Sequence, residues 1–164
     1  MPAVSVVIPA WNLWDMTRAC LESLAEHTPP GAMEVVVVDN GSSDATRTEL
    51  EAFGRALFGE DFQAIRLERN MGFAIGCNSG ARAAKSDLLF FLNNDTLVTP
   101  NWLPPLIQGL RADPGLGMVG PLLLFPETGR VQHCAVAFAP TLEVQHLYFH
   151  FPGDHPAPRA PRQA

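Results

Sequence analysis

Four short polar clusters in this chain follow apolar runs, and their side chains could do chemistry. Pro9-Ala10-Trp11-Asn12 ends the first run. Asp39-Asn40-Gly41-Ser42-Ser43-Asp44 ends the second. Arg69-Asn70-Met71-Gly72 follows the third, and Asn93-Asn94-Asp95 closes "LLFFL". Carboxylates and amides after a buried strand can accept and donate hydrogen bonds to a ligand, and glycines let backbone approach it closely. If the runs are neighbouring parallel strands, all four clusters lie beyond their carboxyl ends, where open α/β sheets bind ligands. The plainer account is that strand ends are generally polar. Four in succession favour a shared binding cleft.

The elements that would position these clusters read clearly. Val4 to Ile8 is a short β-rich run and Glu34 to Val38, "EVVVV", a second, both suited to buried parallel strands. Leu13, Met16, Cys20 and Leu24 recur at helical spacing before Pro29-Pro30-Gly31, and Leu50, Phe53 and Leu57 mark a second helix. Ala64 to Leu67 reads as a third strand, and Asp87 to Leu92 as a fourth. The Gly- and Ala-rich segment between them suits a helix lying close to a sheet or a ligand. Trp102 to Ala112 reads as a helix with Pro104 and Pro105 in its first turn. Two further strands are expected at Gly117 to Phe125 and Val131 to Phe138. This alternation predicts an α/β fold with a mostly parallel central sheet, helices on both faces and right-handed crossovers. The segment from Pro152 to Ala164 holds four prolines and reads as loop or linker.

Composition narrows the function classes. With 164 residues, 47 % hydrophobic and 17 % charged, the chain suits one folded domain. A net charge of −6 argues against nonspecific nucleic-acid binding but leaves room for a single nucleotide. Cys20, Cys77 and Cys134 form no CxxC pair, so neither a disulfide framework nor a zinc knuckle is suggested, and buried reduced thiols are the simple reading. The apolar N-terminus lacks a basic leader, and no run is long enough to span a bilayer. A cytoplasmic protein is expected, with the inner face of the membrane as its other setting.

"SVVIPAWN", "VVVVDNGSSDAT" and "RNMGFAIGCNSGARAAKSDLLFFLNNDTLVTPNWL" together resemble the family 2 glycosyltransferases, and most closely the rhamnosyltransferase-like branch. The fragments run in family order from residue 4 to about residue 138, and "GRVQHCAVAF" resembles a downstream segment of the same branch. The resemblance implies the GT-A nucleotide-sugar-binding fold over residues 1–140, with 141–164 a tail leading toward an acceptor-binding half. It also implies transfer of a sugar from a UDP- or dTDP-type donor to a glycan or lipid-linked acceptor, with inversion at the anomeric carbon.

Residue roles follow from the same resemblance. Asn93-Asn94-Asp95 stands where the family carries Asp-x-Asp, with the first carboxylate replaced by an amide. Asp95 is thus the expected ligand for Mg²⁺ or Mn²⁺, which take oxygen donors shared with waters and phosphates. Asn93 would add its amide oxygen or contact the ribose or phosphate, with Asn94 beside it. A purely turn-capping Asp95 is the other reading. Asp39 matches the position that meets the base, where a carboxylate accepts the imide N–H of uracil or thymine; an Asx-turn is its alternative. Pro9, Ala10 and Trp11 would wall the base, or Trp11 would face the core. Asn70 and Gly72 open a helix whose N–H groups can face the nucleotide, or simply allow tight packing. His133 would line the site or sit hydrogen-bonded in a strand. His146, His150 and His155 read as loop residues rather than a metal site.

The family's catalytic base is an acidic residue downstream, and Asp154 in the Pro-rich tail matches no such motif. The chain is therefore read as a donor-binding portion, with a noncatalytic nucleotide-binding or scaffolding module as the alternative. A sugar nucleotidyltransferase would carry a Gly-rich basic loop where "PAWNLWD" stands, and a phosphoacceptor receiver domain would carry an acidic pair there.

Overall fold

A computed structural model describes residues 2–138, 141 and 143–159. The domain boundary expected at residue 140 and the end of the tail, 160–164, lie outside the described residues. The chain forms two compact units, Met1–Trp102 and Leu103–Ala164.

The first unit is built on a parallel sheet of β1 (Val4–Ala10), β2 (Met33–Asp39), β3 (Phe62–Arg66) and β4 (Leu89–Phe91), in the order β3-β2-β1-β4. Every residue of β1 and β2 is buried, as their largely apolar sequences require, and the polar Ser5, Glu34 and Asp39 are buried with hydrogen-bond partners. Helices α1 (Trp14–His27), α2 (Thr46–Phe58) and α3 (Phe73–Ala83) supply the crossovers. The sheet extends leftward through β2 and β3 and then returns to the other side of β1, so right-handed crossovers place α3 on the face opposite α1 and α2. Trp14 of α1 meets Phe53 of α2 edge-on, ring centroids 5.5 Å apart.

Helix α3 lies close to the sheet because it presents glycine there. A Cβ on Gly76 would sit 3.1 Å from Pro9 Cβ, and one on Gly80 would run into Val7 and stand 3.1 Å from Val38. That accounts for the Gly-rich composition of this segment as close helix–sheet approach.

At the amino ends of the strands, Glu34 is buried at 1 % exposure. Its Oε1 accepts hydrogen bonds from Ser5 Oγ and from the Lys85 backbone N–H, and Lys85 Nζ lies 3.6 Å from Oε2. Ser5 Oγ in turn accepts the Ser86 N–H at 3.0 Å. One carboxylate thus ties β1, β2 and the turn leading into β4.

The second unit holds α4 (Leu103–Ala112), an antiparallel pair β5 (Leu123–Leu124) and β6 (Val131–His133), and a second pair β7 (Ala135–Phe138) and β8 (Val144–Leu147). A short helix α5 (Pro156–Arg159) follows. Five sequence expectations change. The third strand begins at Phe62, and the fourth is only three residues long. The run from Gly117 yields a strand only at its end, because only Leu123 and Leu124 find a partner. The expected strand from Val131 to Phe138 breaks at Cys134, where the chain leaves one sheet and enters the other. The Pro-rich tail is partly ordered: Pro156 opens α5, where its missing N–H costs nothing.

Candidate donor-binding site

The parallel register settles which side chains share an end of the sheet. Ala10 pairs with Asp39, and Asp39 with Arg66. Strand β4 pairs Phe91 with Val7, and Leu92 N–H still donates to Val7 O, so Asn93, Asn94 and Asp95 emerge at the same carboxyl edge. Asp39 and Asp95 therefore stand on one edge, with β1 between their strands.

Asp39 is 2 % exposed. Its Oδ1 accepts the Ser42 N–H, three residues on, at 2.7 Å and so holds the start of the β2–α2 loop. Arg66 Nη1 lies 3.2 Å from Oδ2, close enough for an ion pair but not aligned as a hydrogen bond, so Oδ2 keeps an unused acceptor site. The Arg66 guanidinium also donates to Ser42 O at 3.0 Å and Arg47 O at 3.1 Å, holding the β2–α2 loop.

Asn40, 5 % exposed, organises the next loop. Its Nδ2 donates to Asn70 Oδ1 at 3.0 Å and to Gly72 O at 3.2 Å, and its Oδ1 accepts the Met71 N–H at 2.8 Å. Asn70 Oδ1 also accepts the Gly72 N–H at 2.9 Å. Gly72 precedes α3 with φ 87° and has open space where a side chain would be. Gly41 has φ +77°, and a Cβ there would lie 2.5 Å from Arg69 Cα, so the two loops touch backbone to backbone.

The β1–α1 loop is laced to the same structure. Asn12 Oδ1 accepts the Ser43 N–H at 2.8 Å, Ser42 Oγ accepts the Asn12 N–H at 2.7 Å, and Asp44 Oδ2 accepts the Trp14 N–H at 3.0 Å. Burial pushes the Asp44 carboxyl up, but hydrogen bonds from Thr46 and Trp14 outweigh it and hold the group below its ordinary range. Asn12 and Leu13 both adopt left-handed backbone, φ 57° and 58°. Leu13 can do so only because its neighbours are tied on both sides.

The expected site residues separate by exposure. Trp11 is 54 % exposed at the edge, away from the core. Pro9 and Ala10 are buried, with Pro9 under α3, so Trp11 is the open side chain of that trio. Asn70, Gly72, Asn93 and Asp95 are exposed. Asn94 turns inward, and its Nδ2 donates to the buried Thr17 Oγ1 of α1 at 2.9 Å. Sequence reasoning missed the supporting roles of Asn12, Asn40, Ser42 and Arg66. All but Arg66 lie in the polar clusters, but their cross-loop partners are 19 to 32 residues away.

The exposed Asp95 carboxylate and Asn93 amide present hard oxygen donors, a set suited to Mg²⁺ or Mn²⁺ rather than a thiophilic ion. Behind them the Cys20 thiol points to Asn93 O at 3.8 Å. Burial, reinforced by the Asp95 charge, pushes this thiol from 9.0 up to about 12. Above pH 9.0 the unfolded chain therefore releases a proton that the folded chain retains, and stability falls as pH rises toward about 12. The decline contributed by this one group approaches about 1.4 kcal/mol per pH unit. Urea midpoints measured from about pH 9 to about pH 10.5 are expected to fall more steeply in wild type than in Cys20→Ala. Cys77, also raised by burial, leaves the variant some residual slope.

A family model for glycosyl transferase family 2 matches residues 5–137. The chain belongs to glycosyltransferase family 2. Among curated relatives, the O-antigen biosynthesis protein RfbC of Myxococcus xanthus is 33 % identical over 152 residues, covering 92 % of this chain and 12 % of that protein. The putative glycosyltransferase EpsH of Bacillus subtilis (strain 168) is 26 % identical over 136 residues, 83 % of this chain and 38 % of EpsH. The chain thus spans less than two fifths of either relative. Among solved structures, S. aureus TarS 1-349 in complex with UDP superposes with a TM-score of 0.59 and 26 % identity, over 68 % of this chain and 32 % of that one. The GT-A fold expected from the sequence is the fold found.

Proposed function

We propose that this member of glycosyltransferase family 2 carries the donor-binding site of an enzyme that moves a sugar from a UDP- or dTDP-type nucleotide to a glycan or lipid-linked acceptor. The observation that carries this reading is the register placing Asp39 and Asn93-Asn94-Asp95 on one edge of the sheet. TarS, the structural neighbour crystallised with UDP, and RfbC, named for O-antigen biosynthesis, support it.

In this reading Asp39 Oδ2 accepts the imide N–H of the pyrimidine once the half-exposed Arg66 side chain beside it shifts. Trp11 packs on the base. The exposed first turn of α3, opening at Gly72, turns backbone N–H groups toward the diphosphate. Asp95 and the Asn93 amide oxygen would hold Mg²⁺ or Mn²⁺. When bound, the cation supplies positive charge against the diphosphate leaving group. Attack by an acceptor hydroxyl from the face opposite the diphosphate forms the new C–O bond, breaks the old one and inverts the anomeric carbon, the hydroxyl proton passing to a carboxylate base of the kind the family carries downstream of its metal motif. The same reading sets the protein in the cytoplasm or at the inner membrane face. Among the described residues, no helix is long and apolar enough to cross a membrane.

The test is a thermal-shift panel of UDP, dTDP, GDP and CMP with and without Mn²⁺. UDP and dTDP are expected to raise Tm, Mn²⁺ to increase the gain, and Asp95→Ala to lose only the Mn²⁺ increment. GDP stabilising as well as UDP would overturn the role of Asp39. An Asp95→Ala protein with the full Mn²⁺ increment would remove the metal from this edge.

A further inference from the structure

The second unit brings together two histidines that sequence spacing keeps apart. His133 is the last residue of β6 and pairs with Leu123 of β5. His146 lies in β8 and pairs with Val136 of β7. The two imidazoles meet where the chain passes from one sheet to the other: Nδ1 faces Nδ1 at 3.3 Å, with the rings 77° apart.

That separation, longer than the about 2.9–3.0 Å that N–H···O bonds favour, lets one ring donate its Nδ1 proton to the other. It matches the bite of two ligands on one tetrahedral ion. Two Zn–N bonds of about 2.0–2.1 Å at the tetrahedral angle set their nitrogens about 3.3–3.4 Å apart. Adjacent square-planar ligands at similar bond lengths would stand only about 2.8–3.0 Å apart, so the gap disfavours Cu²⁺ geometry. His133 is half-buried, which holds its ring, and His146 is exposed, which leaves the gap open to solvent. Their neighbours are committed elsewhere: His150 stacks on Phe125 at 5.3 Å, and His155 meets Phe151 edge-on at 5.5 Å.

We propose that His133 and His146 form a two-imidazole site for a tetrahedral divalent ion, Zn²⁺ by its geometry, that clips the β5–β6 pair to the β7–β8 pair. No third His, Cys, Asp or Glu completes a ligand cluster among the described residues. Water therefore fills the remaining positions, and the binding is reversible rather than a condition of folding. The donors also separate this site from the Asp95 edge: imidazole selects a borderline ion, whereas carboxylate and amide oxygens select Mg²⁺ or Mn²⁺.

The experiment is a ZnCl₂ titration of the chelator-treated full chain, followed by NMR of the histidine ring nitrogens and by Tm. The His133 and His146 signals are expected to shift together and saturate, while His150 and His155 stay in place and MgCl₂ moves none of them. His133→Ala and His146→Ala are each expected to remove the Zn²⁺-dependent rise in Tm, and His150→Ala to keep it. Shifts at His150 or His155 in place of the pair, or a Tm rise that survives both alanine variants, would overturn the site. The wild-type spectra decide the matter even if a variant folds poorly.

Discussion

Asp39→Asn is expected to keep the fold and lose the nucleotide. The amide oxygen of asparagine can still accept the Ser42 N–H that Asp39 Oδ1 accepts at 2.7 Å, so the loop contact survives. On the other side, an NH₂ group replaces the acceptor Oδ2 and would meet the imide N–H of uracil donor to donor. Losing a hydrogen bond to a charged group costs about 1.5–3 kcal/mol, and UDP affinity should fall by about tenfold to a hundredfold by calorimetry. Asp39→Ala should lose the same affinity and also destabilise the first unit by about 2 kcal/mol, because it leaves Ser42 N–H without its acceptor and Arg66 without its ion pair. Arg66 is 40 % exposed, so water covers part of its loss. Wild-type UDP affinity in Asp39→Asn would refute the base contact while leaving the fold and family untouched.

At the opposite end of the same strand, Glu34→Ala is expected to cost about 3 kcal/mol of stability without touching the nucleotide. The carboxylate is buried and serves the Ser5 hydroxyl, the Lys85 backbone N–H and the Lys85 ammonium. Its removal leaves the buried Ser5 hydroxyl and the part-buried Lys85 N–H without that acceptor. Lys85 is 57 % exposed and returns to water at little cost. Glu34→Gln should therefore cost less than alanine, since its amide oxygen can still accept one of those donors. Urea unfolding followed by tryptophan fluorescence reads the first unit, which holds Trp11, Trp14 and Trp102. A loss below about 1 kcal/mol in Glu34→Ala would show that water replaces the carboxylate at this end of the sheet.

What the sequence disclosed follows a physical pattern. Strands β1 and β2 were legible to within two residues because a strand buried on both faces is dominated by apolar residues. The gathering of Asp39, Asn70 and Asp95 at one edge was legible from βα alternation alone. The second unit was far less so. An apolar run such as 117–125 becomes a strand only where another segment pairs with it, and the break at Cys134 depends on which sheet the chain joins next. Side-chain direction was also hidden. Nothing in "NNDT" says that Asn94 turns back to Thr17 while Asn93 and Asp95 face outward. Glu34 reads as the polar start of a strand, and its partners Ser5 and Lys85 lie 29 and 51 residues away.

The paired left-handed residues Asn12 and Leu13 carry a kinetic consequence. Their backbone stores strain that the Ser42, Ser43 and Asp44 contacts already offset in the free chain. The rim bearing Trp11 is thus assembled before any ligand arrives, and little conformational entropy remains to be lost there on capture. Only the Arg66 side chain beside Asp39 must still move as a base docks, and a partly exposed side chain moves fast enough to leave the observed rate linear in nucleotide concentration.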